Sequence, residues 1–151
     1  MSEASPAAPV FAIEKIYMKD LSVEVPNGPQ IFLEREAPSV EVGVRSEARP
    51  LPQEGLFEVV LGVTVTAKIK DKTLFLVEAA QAGIFQIRNV SQQDLGPLLG
   101  VACPNTLFPY AREAVSAVIT RAGFPPVVLA PMSFEAIYQQ QQAAQPSAKP
   151  N

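Results

Sequence analysis

Leu56-Phe57-Glu58-Val59-Val60-Leu61-Gly62-Val63-Thr64-Val65-Thr66-Ala67-Lys68-Ile69-Lys70 decides the fold. Every odd position from Phe57 to Ile69 is apolar, and most even ones are Glu, Gly, Thr or Lys. Successive side chains of a strand point to opposite faces, so this stretch predicts a long, half-buried strand. Thr73 to Arg88 reads as a second strand, reached through Lys70-Asp71-Lys72. Parity decides how the two pair. Phe75, Val77, Ala79, Phe85 and Ile87 share one face, and Leu74, Leu76 and Glu78 share the other. A three-residue loop pairs odd with odd and puts the first set on the core face, whereas a two-residue loop drives Glu78 inward. The apolar pattern sets the register, so the odd-length loop is expected.

Working outward, Phe11 to Val25 is also strand-like, but its apolar phase changes. Phe11 and Ile13 are odd, Ile16 and Met18 even, and Leu21, Val23 and Val25 odd again. Two explanations fit: a bulge, or a strand covered by apolar neighbours on both faces. Pro26-Asn27-Gly28-Pro29 ends it with turn chemistry. Ile31–Leu33 and Val40–Val44 are expected as a shorter strand region, and Arg45 to Gly55 as a Pro-containing polar loop. After Arg88 the period becomes helical. Pro109 to Ala122 carries Tyr110, Ala114, Val115, Val118 and Ile119 on one stripe, with Pro109 near the first turn and Gly123 as the stop. Ser133 is the expected cap of a last helix bearing Phe134, Ile137 and Tyr138. Between these helices, Phe124 to Met132 contains three prolines and is expected to be extended. Strands first and helices afterwards give an α+β fold, with the helices on one face of an antiparallel sheet.

The chain has 151 residues, a length that fits one domain. With no His and one Cys, a Ser–His–Asp or Cys–His nucleophile, a His-ligated zinc and an intrachain disulfide are all excluded. One Cys suits a reducing compartment. Residues 1–9 read as a disordered arm without the features of a signal peptide, 10–138 as the folded domain, and 139–151 as a disordered Gln- and Pro-rich tail. No run of 18 apolar residues occurs, so a membrane span is not expected. The net charge is −3, and residues 1–100 hold 9 basic and 13 acidic side chains against 3 and 2 in residues 101–151. With 18% charged and 48% hydrophobic residues, the chain either buries an unusual share of itself or keeps apolar surface for partners.

Catalytic, nucleotide-binding and zinc motifs are missing, so neither an enzyme nor a cofactor or metal site is expected. Cys103 reads as a buried structural thiol, and the acidic balance argues against nucleic acid. Two surfaces remain. Asp20, Ser22 and Glu24 share one face of the first strand, and Glu78 faces outward, so three carboxylates gather if those strands are neighbours. A solvated face or a docking site for a basic partner would both account for them. Phe124 to Met132, with Phe134, Ile137 and Tyr138, is either ordinary core or a groove for apolar segments of other chains.

From about Phe11 to Tyr138 the sequence resembles the SecB protein-export chaperones of proteobacteria. The resemblance is carried by Ile16-Tyr17-Met18-Lys19-Asp20 through Glu24-Val25-Pro26-Asn27, by Phe57 to Leu61 and by Gly83-Ile84-Phe85. The longest piece is Cys103-Pro104-Asn105-Thr106-Leu107-Phe108-Pro109-Tyr110-Ala111-Arg112-Glu113, followed by Gly123-Phe124-Pro125 and Leu129-Ala130-Pro131. It implies a four-stranded antiparallel sheet with two helices on one side, assembled as a homotetramer, a dimer of dimers. It also implies a cytoplasmic, ATP-independent chaperone that holds unfolded precursor proteins and passes them to the SecA translocation motor. The motor's basic C-terminal segment would dock at Asp20, Glu24, Leu76 and Glu78. Clients would lie in a groove of Phe124, Val127, Leu129, Met132, Phe134, Ile137 and Tyr138, and subunits would meet through Ile16, Met18, Tyr110, Ala114 and Val118. A structural or adaptor module with one folded partner is the alternative. Ala37 and Ala102 stand where better-known members carry Trp and Tyr, and the tail has Lys149 and no acid where family tails are often acidic.

Overall fold

The computed structural model describes residues 7–144. Its four strands are β1 (Val10–Glu24), β2 (Ser39–Pro50), β3 (Leu56–Ile69) and β4 (Lys72–Arg88), and they form one antiparallel sheet in the order β1-β4-β3-β2. Helices α1 (Gln92–Pro97), α2 (Cys103–Arg121) and α3 (Phe134–Ala144) follow, and the two long ones, α2 and α3, are those expected after the sheet.

Residues Phe57, Val59 and Val65 lie opposite Phe85, Gly83 and Val77, so odd pairs with odd as the apolar pattern demands. The device differs from the expected one. The turn itself is only Lys70-Asp71, with Ile69 opposite Lys72 and Lys70 in the left-handed region at φ 54°. The missing residue is supplied by a bulge: the register steps between Lys68–Thr73 and Ala67–Phe75, leaving Leu74 unmatched. Leu74 is consequently buried in the core rather than outward beside Leu76 and Glu78. A bulge inserts one residue into one strand and shifts the parity beyond it, which is what a third loop residue would have done.

The same device explains β1. Its pairing with β4 steps at Glu14 and again at Lys19. Phe11, Ile13, Ile16, Met18, Leu21 and Val23 thereby all lie opposite odd-numbered residues of β4, on the helix-facing side. The bulge explanation holds, twice over.

Val59, Leu61, Val63, Val65, Val77 and Phe85 form the sheet's share of the core, at 0–1% exposure. Against them α2 lays Leu107, Ala111, Val115 and Ile119, four residues apart and fully buried. Each large aliphatic side chain buried here contributes about 1.5–3 kcal/mol. Gly83 allows the close approach: a Cβ there would lie 2.8 Å from the Phe85 ring and 3.1 Å from Leu107.

Four local expectations are corrected. Gln30–Leu33 is a 3-10 turn rather than strand, and Ile31 plugs the core at 3% exposure. Strand β2 runs on through Arg45 to Pro50, because β3 offers backbone partners as far as Phe57. A polar sequence ending in Pro is compatible with an edge strand. Helix α2 begins at Cys103, so Pro109 lies inside it. The run starts still earlier, at the Ser91 cap, whose hydroxyl accepts from the Asp94 N–H at 3.1 Å, and passes through a π-helical turn at Leu98–Ala102. Finally, α3 continues past Tyr138 to Ala144, since Gln and Ala are good helix formers. The Ser133 cap is present, accepting from the Ala136 N–H at 3.1 Å. Residues 1–6 of the expected arm and 145–151 of the expected tail lie outside the described residues.

Candidate functional site

The sheet has one face covered by helices and one left open. On the open face, Glu24 lies opposite Leu76, Ser22 opposite Glu78 and Asp20 opposite Ala80. The strands that carry the four proposed docking residues are therefore neighbours, and the three carboxylates share one surface. Beside them Asp20, Glu78, Thr64, Arg45 and Glu47 rim a shallow hollow floored by Gly43, Gly62 and Ala80. Arg45 lies across Gly62, where a Cβ would come within 3.1 Å of its side chain.

One group on this face escaped sequence reasoning. Glu58, on β3, is only 5% exposed although its side chain is on the open side of the sheet. It accepts hydrogen bonds from the Tyr17 hydroxyl, from Lys19 Nζ at 2.9 Å and from Arg49 Nε at 2.9 Å. Tyr17 and Lys19 belong to β1 and Arg49 to β2, so one carboxylate ties both edge strands to the centre. The Tyr17 hydrogen bond first, then those of Lys19 and Arg49, hold the carboxyl at about 2, against the opposing effect of burial. The same hydrogen bond raises the Tyr17 phenol. Adjacent outward phases of Tyr17, Lys19 and Glu58 were the available signal, but reading it requires the register of three strands.

The seven expected groove residues divide. Phe124, Leu129 and Phe134 are buried core, while Val127, Met132, Ile137 and Tyr138 are half-buried. Phe124 stacks on Phe32, centroids 4.9 Å apart, and tilts against Phe75 at 5.1 Å. With Val127, Val40, Leu74 and Ile69, these rings line an apolar hollow of about 490 Å³ at the β2 end. Ala37, the position of the missing Trp, falls between two of its lining residues, Glu36 and Pro38. Phe134 packs edge-on against Phe108 at 5.8 Å. Tyr138 belongs to a second hollow of about 830 Å³, with Val90, Pro97, Leu98, Val101 and Ala102. Its ring lies over Gly96 and Gly100: a Cβ at Gly96 would meet the Tyr138 hydroxyl at 2.6 Å, and one at Gly100 would strike the ring itself.

Of the five expected interface residues, Met18, Tyr110, Ala114 and Val118 line one groove between β1 and α2 together with Leu21, while Ile16 packs beside it against the core. Tyr110 is 50% exposed, and Phe11, Ile13 and Leu21 on the same edge are 40–49% exposed. Cys103 is buried, and burial pushes its thiol up to about 12, so it is no nucleophile. Among the described residues no helix is long and apolar enough to cross a membrane, and no group of three or more His, Cys, Asp or Glu is placed to hold a metal.

The SecB profile, described as preprotein translocase subunit SecB, matches residues 4–145. The chain belongs to the SecB family. It is thus a protein-export chaperone by family and not an enzyme. The protein-export protein SecB of Chromobacterium violaceum is 61% identical over 148 residues, covering 98% of both chains. That of Azoarcus sp. is 62% identical over 139 residues, covering 91% of each. Among solved structures, the SecB-like chaperone of Mycobacterium tuberculosis, determined with a ChAD peptide from the HigA1 antitoxin, superposes with a TM-score of 0.67. It covers 82% of this chain and 91% of its own at 16% identity, so it supports the SecB fold and nothing finer.

Proposed function

We propose that this SecB chain is a cytoplasmic, ATP-independent holdase that binds unfolded precursor proteins and delivers them to the SecA motor. The observation that carries the delivery half is the β1–β4 register, which sets Glu24 against Leu76 and Ser22 against Glu78 on the uncovered face. A basic segment finds there three carboxylates and a small apolar contact, with electrostatic complementarity favouring both encounter and choice of partner.

The holding half rests on the apolar hollows. Phe124, Val127, Leu129, Met132, Phe134, Ile137 and Tyr138 supply their aromatic and aliphatic walls or the core beneath them. Aromatic anchors contribute most of the affinity in such sites, and a folded protein hides the segments that would enter. The exposed apolar edge of β1 and the Met18, Tyr110, Ala114 and Val118 groove are where further copies of the chain would pack, Ile16 lying just beneath. In a dimer of dimers several weak sites then act on one client, and effective concentration turns them into high avidity.

Light scattering of an unrelated aggregating protein tests the holding reading: suppression near one tetramer per client is expected, and an adaptor with one folded partner gives none. Four chains of 16.2 kDa make about 65 kDa by native mass, and a strict monomer removes the avidity argument. For delivery, the triple variant Asp20→Lys, Glu24→Lys, Glu78→Lys is expected to lose SecA binding while still suppressing aggregation. Unchanged SecA affinity in that variant overturns the docking assignment.

A further inference from the structure

Only two polar side chains among the described residues are classed as buried, Glu58 at 5% and Gln81 at 4% exposure. Both hold Tyr17 of β1, and Glu58 holds Lys19 as well. From the open face Glu58 accepts from Tyr17 and Lys19; on the helix side Gln81 Nε2 donates to the Tyr17 carbonyl at 3.0 Å. The residue between Met18 and Asp20 that the register skips is Lys19 itself. A bulge leaves ladder groups unmatched, and here a side chain supplies a partner for the carbonyl.

That bulge has a directional consequence. Residues 15–18 pair with β4 so that each number and its partner sum to 99, as in Ile16 with Gly83; after Lys19 the sum is 100, as in Ser22 with Glu78. Without the step, Leu21 rather than Ser22 would stand opposite Glu78, and Asp20, Ser22 and Glu24 would turn toward the helices. We propose that Glu58, Lys19 and Gln81 are positioning residues that lock this bulge and thereby aim the carboxylate row of β1 at the docking partner. The proposal rests on the docking reading above for its purpose, but not for its geometry. Arg49 extends the lock to β2, so that the opposite edge strand braces the same carboxylate.

Register is tested directly by paired cysteines in the full chain, where Cys103 is buried. In an otherwise native background the pair Ser22→Cys, Glu78→Cys is expected to cross-link and Leu21→Cys, Glu78→Cys to remain open. Adding Glu58→Ala is expected to reverse that preference, and Lys19→Met to do the same, while Lys19→Arg keeps the native pattern. In proteins that retain Glu78, Glu58→Ala and Lys19→Met are expected to weaken SecA binding at least roughly tenfold, with Lys19→Arg restoring it. An unaltered cross-link pattern in both Glu58→Ala and Lys19→Met overturns the inference whatever SecA does. A changed pattern with full SecA affinity also overturns it, because the bulge then aims nothing the motor reads. Loss of SecA binding in Glu58→Ala, set beside no effect in the triple charge reversal, removes the docking reading and leaves the register result standing.

Discussion

Replacing Glu58 by Gln preserves size and one acceptor while removing the charge. Its carboxyl is held at about 2, against 4.5 for an ordinary glutamate. A carboxyl held that far below its ordinary value is stabilised by about 3 kcal/mol, since each tenfold change in acidity is worth about 1.36 kcal/mol. The Tyr17 phenol moves through the same hydrogen bond, so that interaction is counted once. The sign follows from a folded value lying below the unfolded one. The contribution is complete above pH 4.5 and disappears as pH falls toward 2. The wild-type chain should therefore exceed Glu58→Gln by about 3 kcal/mol at pH 6 and by roughly half of that or less at pH 3, with the gap nearly closed at pH 2. Urea unfolding followed by circular dichroism, at one fixed protein concentration because assembly shifts apparent stability, measures the difference. Tyr17→Phe, which removes the largest cause of the low value, should by itself reproduce the greater part of the loss seen with Glu58→Gln. A gap that stays constant from pH 3 to pH 6, or one smaller than about 1 kcal/mol at pH 6, refutes the claim that this buried carboxylate is a charged, satisfied hub.

Leu107→Ala deletes a fully buried side chain between α2 and the sheet, and should cost about 2–5 kcal/mol in the same unfolding assay. Gly100→Ala should gain helix propensity, up to about 1 kcal/mol, yet displace the Tyr138 ring it would strike. Global stability should then change little while amide exchange in α3 quickens. Cys103, with its thiol held near 12, should resist alkylation at pH 8 in the native state and react at the rate of opening, so that labelling speeds up with added urea. Ser133→Ala should remove about 1 kcal/mol from α3 through loss of its N-cap, again visible as faster exchange confined to that helix.

The parts legible in the sequence are those governed by a single period. The alternation from Phe57 to Ile69 yields β3, its burial pattern and its partner parity, because each position reports directly on one face. The same rule located the phase changes in β1, although it could not choose between a bulge and a doubly covered strand without the identity of the neighbour. Parity also misread the means: Leu74 is the extra residue, not a third loop position, because two-residue turns and bulges have the same arithmetic as longer loops. Proline was the most misleading signal. Pro109 reads as the first turn of its helix, but α2 begins at Cys103, so Pro104 occupies that first turn and Pro109 lies inside the helix. The carboxylate row was readable because it lies on two strands in phase. Glu58 was not, since its partners come from strands 9, 39 and 41 residues away in sequence. The apolar run after Gly123 forms neither strand nor helix as far as Ser133, and its residues divide between core and two hollows according to contacts with Phe32, Phe108 and the Gly96–Gly100 surface, which no local pattern reveals.

The strand order has a consequence for synthesis. Strand β1 pairs only with β4, so Val10 waits for Arg88, 78 residues later in the chain, and Glu24 for Leu76, 52 later. Strands β2, β3 and β4 form a simple meander and can close as they emerge. At roughly 5–20 residues per second, β1 stays without its partner for several seconds on the ribosome, its apolar side chains uncovered and its two bulges unformed. Long-range pairing of this kind slows folding, because loop closure precedes any gain from contact. A chaperone built to shelter unpaired apolar segments thus begins its own existence as one.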